Sequence, residues 1–163
     1  MMKRTVFLFA LLISLGLFGQ KSDTKVFESE NYSLTMPDTW KATNDEGIVN
    51  IFPTNQIGAI TISEYHDLEL PKAETKKFIL ALYNSSDDEK KIKTGSGKRG
   101  YTEYFYEYFD EKENLFWITK VFQKSKEIYI VSINCQKKYW NGNYMKVFNE
   151  TFDSFKIKNR ILL

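Results

Sequence analysis

One histidine and one cysteine are all the chain offers for imidazole or thiolate chemistry. His66 stands in Ser63-Glu64-Tyr65-His66-Asp67, and on a strand it would share a face with Glu64. Such a pair could bind a metal or sense pH, because imidazole titrates near neutrality and a neighbouring carboxylate favours its charged form. A zinc site draws four ligands chiefly from Cys and His. A single residue of each type would need several carboxylates that the spacing does not converge, so the sequence assigns no metal site and His66 reads as a solvated strand end. Cys135 with His66 is the one pairing that could supply a thiolate nucleophile and its base. It would make the protein a small envelope hydrolase, and it demands those two side chains within hydrogen-bond reach. Cys135, however, follows Val131 and Ile133 on one face of an apolar run, where a cysteine usually serves as a small hydrophobe. No G-x-S-x-G is present. Gly95-Ser96-Gly97-Lys98-Arg99-Gly100 lacks the phosphate-loop spacing and opens a strand instead of a helix, so no N–H cradle with a helix dipole behind it is expected. No cofactor motif remains, and the chain reads as non-enzymatic.

Binding chemistry is better supplied. Residues 101 to 110, YTEYFYEYFD, carry a ring at six of their first nine positions, and Lys90, Lys91, Lys93, Lys98 and Arg99 lie just before them. In a strand, Tyr104, Tyr106 and Tyr108 fall on one face with no acid between them. Three bare tyrosines would expose about 450 Å² or more, near the size at which a patch implies a partner. Two readings follow: a wall of the core, which is the preferred one because tyrosine is intermediate in burial, or a platform. For the platform the candidate binding residues are Tyr104, Tyr106, Tyr108, Lys98 and Arg99. Basic groups beside stacking rings can also hold single-stranded nucleic acid, but the acidic neighbours Asp87, Asp88 and Glu89 and the export read below argue against it, so nucleic acid is not expected as a partner.

The elements that must position these residues follow from periodicity. Alternation predicts strands over 26–36, 47–54 and 57–66, the first ending at Pro37. Pro71 opens a helix over 71–84, with Thr75, Phe78, Ile79 and Leu82 on one stripe. Residues 85–100 have no lasting apolar period and read as a loop, with a short strand at 90–94. Strands over 101–110, 114–124 and 127–136 are joined by short polar turns, so neighbours pair antiparallel. A second helix over 142–156 places Tyr144, Val147, Phe148, Thr151, Phe152 and Phe155 on one face, with Asn141 or Asn143 to cap it. The three long strands carry rings or branched residues on both faces: Leu115, Trp117 and Val121 oppose Phe116, Ile118 and Phe122, and Ile128 and Ile130 oppose Tyr129, Val131 and Ile133. A sheet with one wet side alternates cleanly, so this sheet is covered on both sides.

The first twenty residues read as a secretory signal: Lys3 and Arg4, an uncharged apolar run from Val6 to Phe18, then Gly19. The run is about thirteen residues, short of the roughly 20 that span a bilayer. No cysteine stands near the cleavage point for a lipid anchor, so a secreted or periplasmic product is expected, with no membrane span after cleavage. The chain has 23 basic and 21 acidic residues, and the leader holds two of the basic ones and no acid, so the mature part is evenly balanced. Such balance gives no electrostatic reason to expect nucleic acid or an anionic membrane. One cysteine permits no internal disulfide, which suits a bacterial envelope. Residues 21–163 fit one domain.

The order of strands, helix, three antiparallel strands and helix, with Tyr32-Ser33-Leu34-Thr35-Met36-Pro37 before Trp40 and a final Phe152-Asp153-Ser154-Phe155, resembles the PsbP-like superfamily. That group includes an extrinsic photosystem II subunit, a Ran-binding import factor and small exported bacterial proteins. The resemblance implies an α/β domain of the α+β kind: an antiparallel sheet flanked by two helices on its faces. Its motifs are packing motifs, so it carries over no functional residue. The sequence therefore predicts an exported domain binding another envelope or extracellular protein or a small envelope component. The competing readings are the Cys135/His66 hydrolase and a structural subunit of an envelope assembly. The expected contact surface is the 85–100 loop with the exposed edge of the aromatic strand.

Overall fold

A computed structural model describes residues 23–140 and 142–158. The predicted leader and Asn141 lie outside the described residues, as do the side chains of Asn143 and Tyr144. The chain forms β1 (Thr24–Glu28), β2 (Tyr32–Pro37), β3 (Lys41–Asp45), β4 (Ile48–Phe52), β5 (Ala59–Tyr65), α1 (Thr75–Leu82), β6 (Lys93–Ser96), β7 (Thr102–Asp110), β8 (Leu115–Lys124), β9 (Glu127–Gln136), α2 (Gly142–Asp153) and β10 (Lys156–Ile157). Seven strands make one antiparallel sheet in the order β3-β4-β5-β9-β8-β7-β6, and β1-β2-β10 make a second, smaller one. This is the α+β arrangement expected, with cover on both faces of the large sheet.

β9 explains why both faces are covered. It is the central strand, and six consecutive residues, Ile128 to Ile133, are buried. Alternation sends Tyr129, Val131, Ile133 and Cys135 to one face, where Ile60, Ile62, Val49 and Ile51 join them. Met145, Phe148 and Phe152 of α2 close that core, together with Tyr32, Leu34 and Met36 of β2 and Trp40. Phe148 meets the Trp40 ring at 4.6 Å. Ile128 and Ile130 point the other way, into a second cluster with Tyr104, Tyr106 and Val121 beneath Ile79 and Leu80 of α1. The buried Gln123 fixes the start of α1: its amide donates to Leu70 O at 2.7 Å and its carbonyl accepts from the Thr75 hydroxyl at 2.7 Å.

Several boundaries differ from the sequence reading. The single strand expected over 26–36 is a hairpin, broken where Ser29 N–H donates to Tyr32 O. β3 was not expected; it returns through Glu46-Gly47, both at positive φ, which is the backbone a two-residue hairpin turn needs. β10 was not expected either, being only two residues paired to β2. The helix predicted over 71–84 is shorter and rotated, burying Thr75, Ile79 and Leu80 while Leu82 is 42% exposed. The short strand expected at 90–94 falls at 93–96, after a 3-10 turn at Glu89–Lys91 capped by Asp88. In α2 the predicted stripe holds at Phe148, Thr151 and Phe152, all buried, although the helix ends at Asp153.

Candidate functional site

The sheet register separates the two residues of the proposed hydrolase. Tyr65 pairs with Ile128, so His66 is level with Glu127 and stands about 26 Å from Cys135 along β9 at roughly 3.3 Å per residue. The dyad does not form. Cys135 is fully buried, and burial pushes its thiol up, away from the thiolate a nucleophile requires.

His66 does meet Glu64, as the shared face predicted: Nε2 lies 3.4 Å from Glu64 Oε2 and 3.3 Å from Asn31 Nδ2. Asn31 also donates to Glu64 at 3.1 Å, and the Tyr129 ring stands edge-on to the imidazole at 6.1 Å. Asp67, at positive φ, is exposed. Burial first, and then the Glu64 charge, push the nearby Tyr32 hydroxyl up to about 12. Among the described residues no three His, Cys, Asp or Glu side chains converge as metal ligands.

The five candidate binding residues are split between the two faces of the sheet. Tyr104 and Tyr106 are 3% and 1% exposed beneath α1. They form the wall of the second core, and the open three-tyrosine platform is corrected accordingly: α1 and Ile92 cover it. The Tyr104 hydroxyl donates to Gln123 Oε1, and that of Tyr106 bonds Ser85 Oγ and Asp87 Oδ2. β6 also pairs along Thr102–Phe105, so this part of the aromatic strand is not an edge. Tyr108 alone of the three is half-buried, and it borders a cavity together with Tyr83 and Trp117.

Lys98 and Arg99 lie on the opposite face, in a 3-10 turn where Arg99 takes positive φ. They border a cleft of about 330 Å³ with Glu103 of β7, Lys120 and Phe122 of β8, the end of α2, and β10. An Arg99 guanidinium N–H donates to Ile157 O and so ties the turn to β10. Lys120 bonds Asp153 at 2.6 Å while its ammonium sits 4.6 Å from the Phe152 ring centroid. Phe122 and Phe155 stack at 5.5 Å to make the apolar floor. Sequence reasoning found Lys98 and Arg99 but missed Lys120, Phe122 and Lys156. Phe122 was legible in part, because hairpin pairing sets it opposite Glu103. Lys156 reaches the cleft only through the unforeseen β10.

Comparison with known proteins bears on the fold. No family model and no curated protein sequence matches the chain. Among solved structures, cyanobacterial PsbP from Synechocystis sp. PCC 6803 is similar with a TM-score of 0.63, at 11% identity over 89% of this chain and 99% of its own. A crystal structure from Bacteroides thetaiotaomicron VPI-5482 gives a TM-score of 0.51 at 13% identity, covering 79% of this chain and 46% of its own. With near-complete coverage of both chains in the first case, the likeness is one of overall fold, and the chain has the PsbP-like fold.

Proposed function

We propose that the protein is an exported, non-enzymatic binding domain spanning residues 21–163, secreted or periplasmic once leader 1–20 is removed. Its contact site is the cleft beneath Lys98 and Arg99. The composition of that cleft carries the reading: four cations and two carboxylates surround three phenylalanine rings. Lys120 is matched by Asp153, whereas Lys98 and Lys156 have no carboxylate partner among the described residues. Such a lining complements an acidic group set beside an apolar body, since the ammonium groups take the charge and the rings take the rest. An acidic segment of another envelope protein answers that description. The PsbP-like fold favours binding over catalysis, because two of the superfamily members named above, the extrinsic photosystem II subunit and the Ran-binding import factor, are binding proteins.

The test is charge reversal at the two unmatched lysines. Lys98→Glu/Lys156→Glu should weaken capture of the partner from an envelope extract by about tenfold and flatten its salt dependence, as expected for rim charges that steer association. Both side chains are solvent-facing, so the thermal midpoint should not move. Capture by the variant equal to that of the unmodified protein, at low salt, refutes the cleft as contact site.

A further inference from the structure

The α1 side of the large sheet is only partly covered. α1 is eight residues long, and past its last turn lies a second cavity, of about 310 Å³, roughly ten times the volume of a liquid water. Ser63, Tyr108, Trp117, Ile130 and Ser132 come from the strands, Leu82, Tyr83 and Asn84 from the end of the helix, and Tyr65 and Asp110 stand at strand ends. This site is distinct from the basic cleft, which lies on the other face.

Four features define its chemistry. Its rings are Tyr65, Tyr83, Tyr108 and Trp117, and Tyr83 lies 5.4 Å from Trp117 and 5.6 Å from Tyr108 between centroids. Hairpin register puts Tyr108 directly opposite Trp117, so two of these rings are fixed by backbone pairing. The lining contains one carboxylate, Asp110, and no Lys or Arg. Asp110 Oδ1 accepts the Lys112 and Glu113 amides, which holds the carboxylate at the cavity edge, while Oδ2 makes no hydrogen bond among the described residues. Two of the lining hydroxyls are held in place, since Tyr83 and Ser132 bond each other and the Thr119 hydroxyl in a triangle. Finally, the rim is apolar. Of the four large hydrophobic side chains left exposed among the described residues, Tyr65 and Leu82 line this cavity, and a third, Ile48, is paired across the sheet with its Ser63.

We propose that this cavity binds an alkylated ammonium group, with the cation against the ring faces and its charge answered by Asp110. The reasoning is electrostatic. Aromatic faces are the negative side of the ring quadrupole and attract cations, Trp most strongly. Asp110 is the one carboxylate such a cation meets, and N-alkyl groups on that cation match the apolar rim and the ring faces better than a bare ammonium, which is more strongly hydrated. An anion would meet Asp110 and π faces, and the site repels it.

Choline and tetramethylammonium are the probes, titrated into the full-length mature protein while tryptophan fluorescence is followed. Trp40 packs on Phe148 and Trp140 on Phe116, both on the other face, so Trp117 should carry the response. Saturable quenching with a dissociation constant of ~1 mM is expected, a usual affinity for so small an ion. Trp117→Phe should abolish the signal. The uncharged carbon isostere of choline, 3,3-dimethylbutan-1-ol, should bind about tenfold more weakly, reflecting loss of the cation–π term. Asp110→Asn keeps Oδ1 and the turn, and should weaken choline about fivefold with an unchanged circular dichroism spectrum. Equal affinity for choline and its isostere overturns the proposal. So does failure of choline to saturate by ~100 mM, including the case in which N-acetylglucosamine saturates in its place and the site proves to take a sugar.

Discussion

Replacing Tyr106 by phenylalanine removes one oxygen and keeps the ring. The ring is 1% exposed beneath α1, and its hydroxyl bonds Ser85 Oγ at 2.8 Å and donates to Asp87 Oδ2 at 2.9 Å. These two bonds fasten the segment after α1 to the sheet. A hydrogen bond to a charged group contributes about 1.5–3 kcal/mol. Ser85 and Asp87 are only half-buried and regain water when the hydroxyl is lost, so the low end applies, about 1.5 kcal/mol. With a urea slope of roughly 2 kcal/mol per molar, the unfolding midpoint should fall by about 0.7 M at an unchanged slope. Tyr106→Ala also empties a ring-sized space and should cost about 3–5 kcal/mol. The phenylalanine effect should also depend on pH. Lys91 chiefly, helped by Tyr106, holds the Asp87 carboxyl below its ordinary 3.8, so its contribution is complete above that value and disappears as pH falls through the lowered one. Burial pushes the Tyr106 hydroxyl up to about 12, which keeps it a neutral donor throughout. The gap between the two proteins should therefore narrow below pH 3.8. Urea titrations at neutral and acid pH measure it. A Tyr106→Phe protein within about 0.3 kcal/mol of the parent at neutral pH, or a gap that stays constant into acid, would refute the reasoning. Unchanged stability with lost partner capture would restore the tyrosine platform.

Two further perturbations probe the other core. Gly58 has φ of +74°, and a Cβ there would lie 2.7 Å from Asn134 O and 3.2 Å from Phe148 Cζ. Gly58→Ala should therefore cost about 2–4 kcal/mol, combining left-handed backbone strain with overpacking. Gly47→Ala, at φ of +86° in open space, should cost only the strain of about 1–2 kcal/mol; equal thermal shifts in the two variants would exclude the clash. Cys135 should resist a thiol-specific reagent in the native protein at mildly alkaline pH and react once urea unfolds the chain. Native-state labelling at the rate of a free thiol would show that the β9 core opens.

The elements that proved legible are those whose partners do not need to be known. Phe148, Thr151 and Phe152 repeat at helical spacing, and whatever covers that stripe must be apolar, so α2 and its inward face follow from local order. The same holds for the two-sided strands: Tyr129, Val131 and Ile133 alternate with Ile128 and Ile130, and the structure sends them to separate cores as expected. β3 and β10 were missed for the converse reason. Residues 41–45 are nearly all exposed, and 156–157 are too few to show a period, so hydrogen bonding to a neighbouring strand is all that makes them strands.

Composition and order within the chain thus determined the fold class, the two buried faces of the long strands and the likeness to the PsbP-like proteins. Tertiary structure alone decided which tyrosines are covered, since that depends on the length and rotation of α1. It alone placed β5 beside β9, which set His66 and Cys135 at opposite ends of the sheet. It also gathered each cavity from three or more segments far apart in sequence. The physical reason is range: periodicity records what each residue needs from its surroundings, whereas the identity of its neighbour is settled by strand register and helix docking, which act between residues that the chain itself keeps distant.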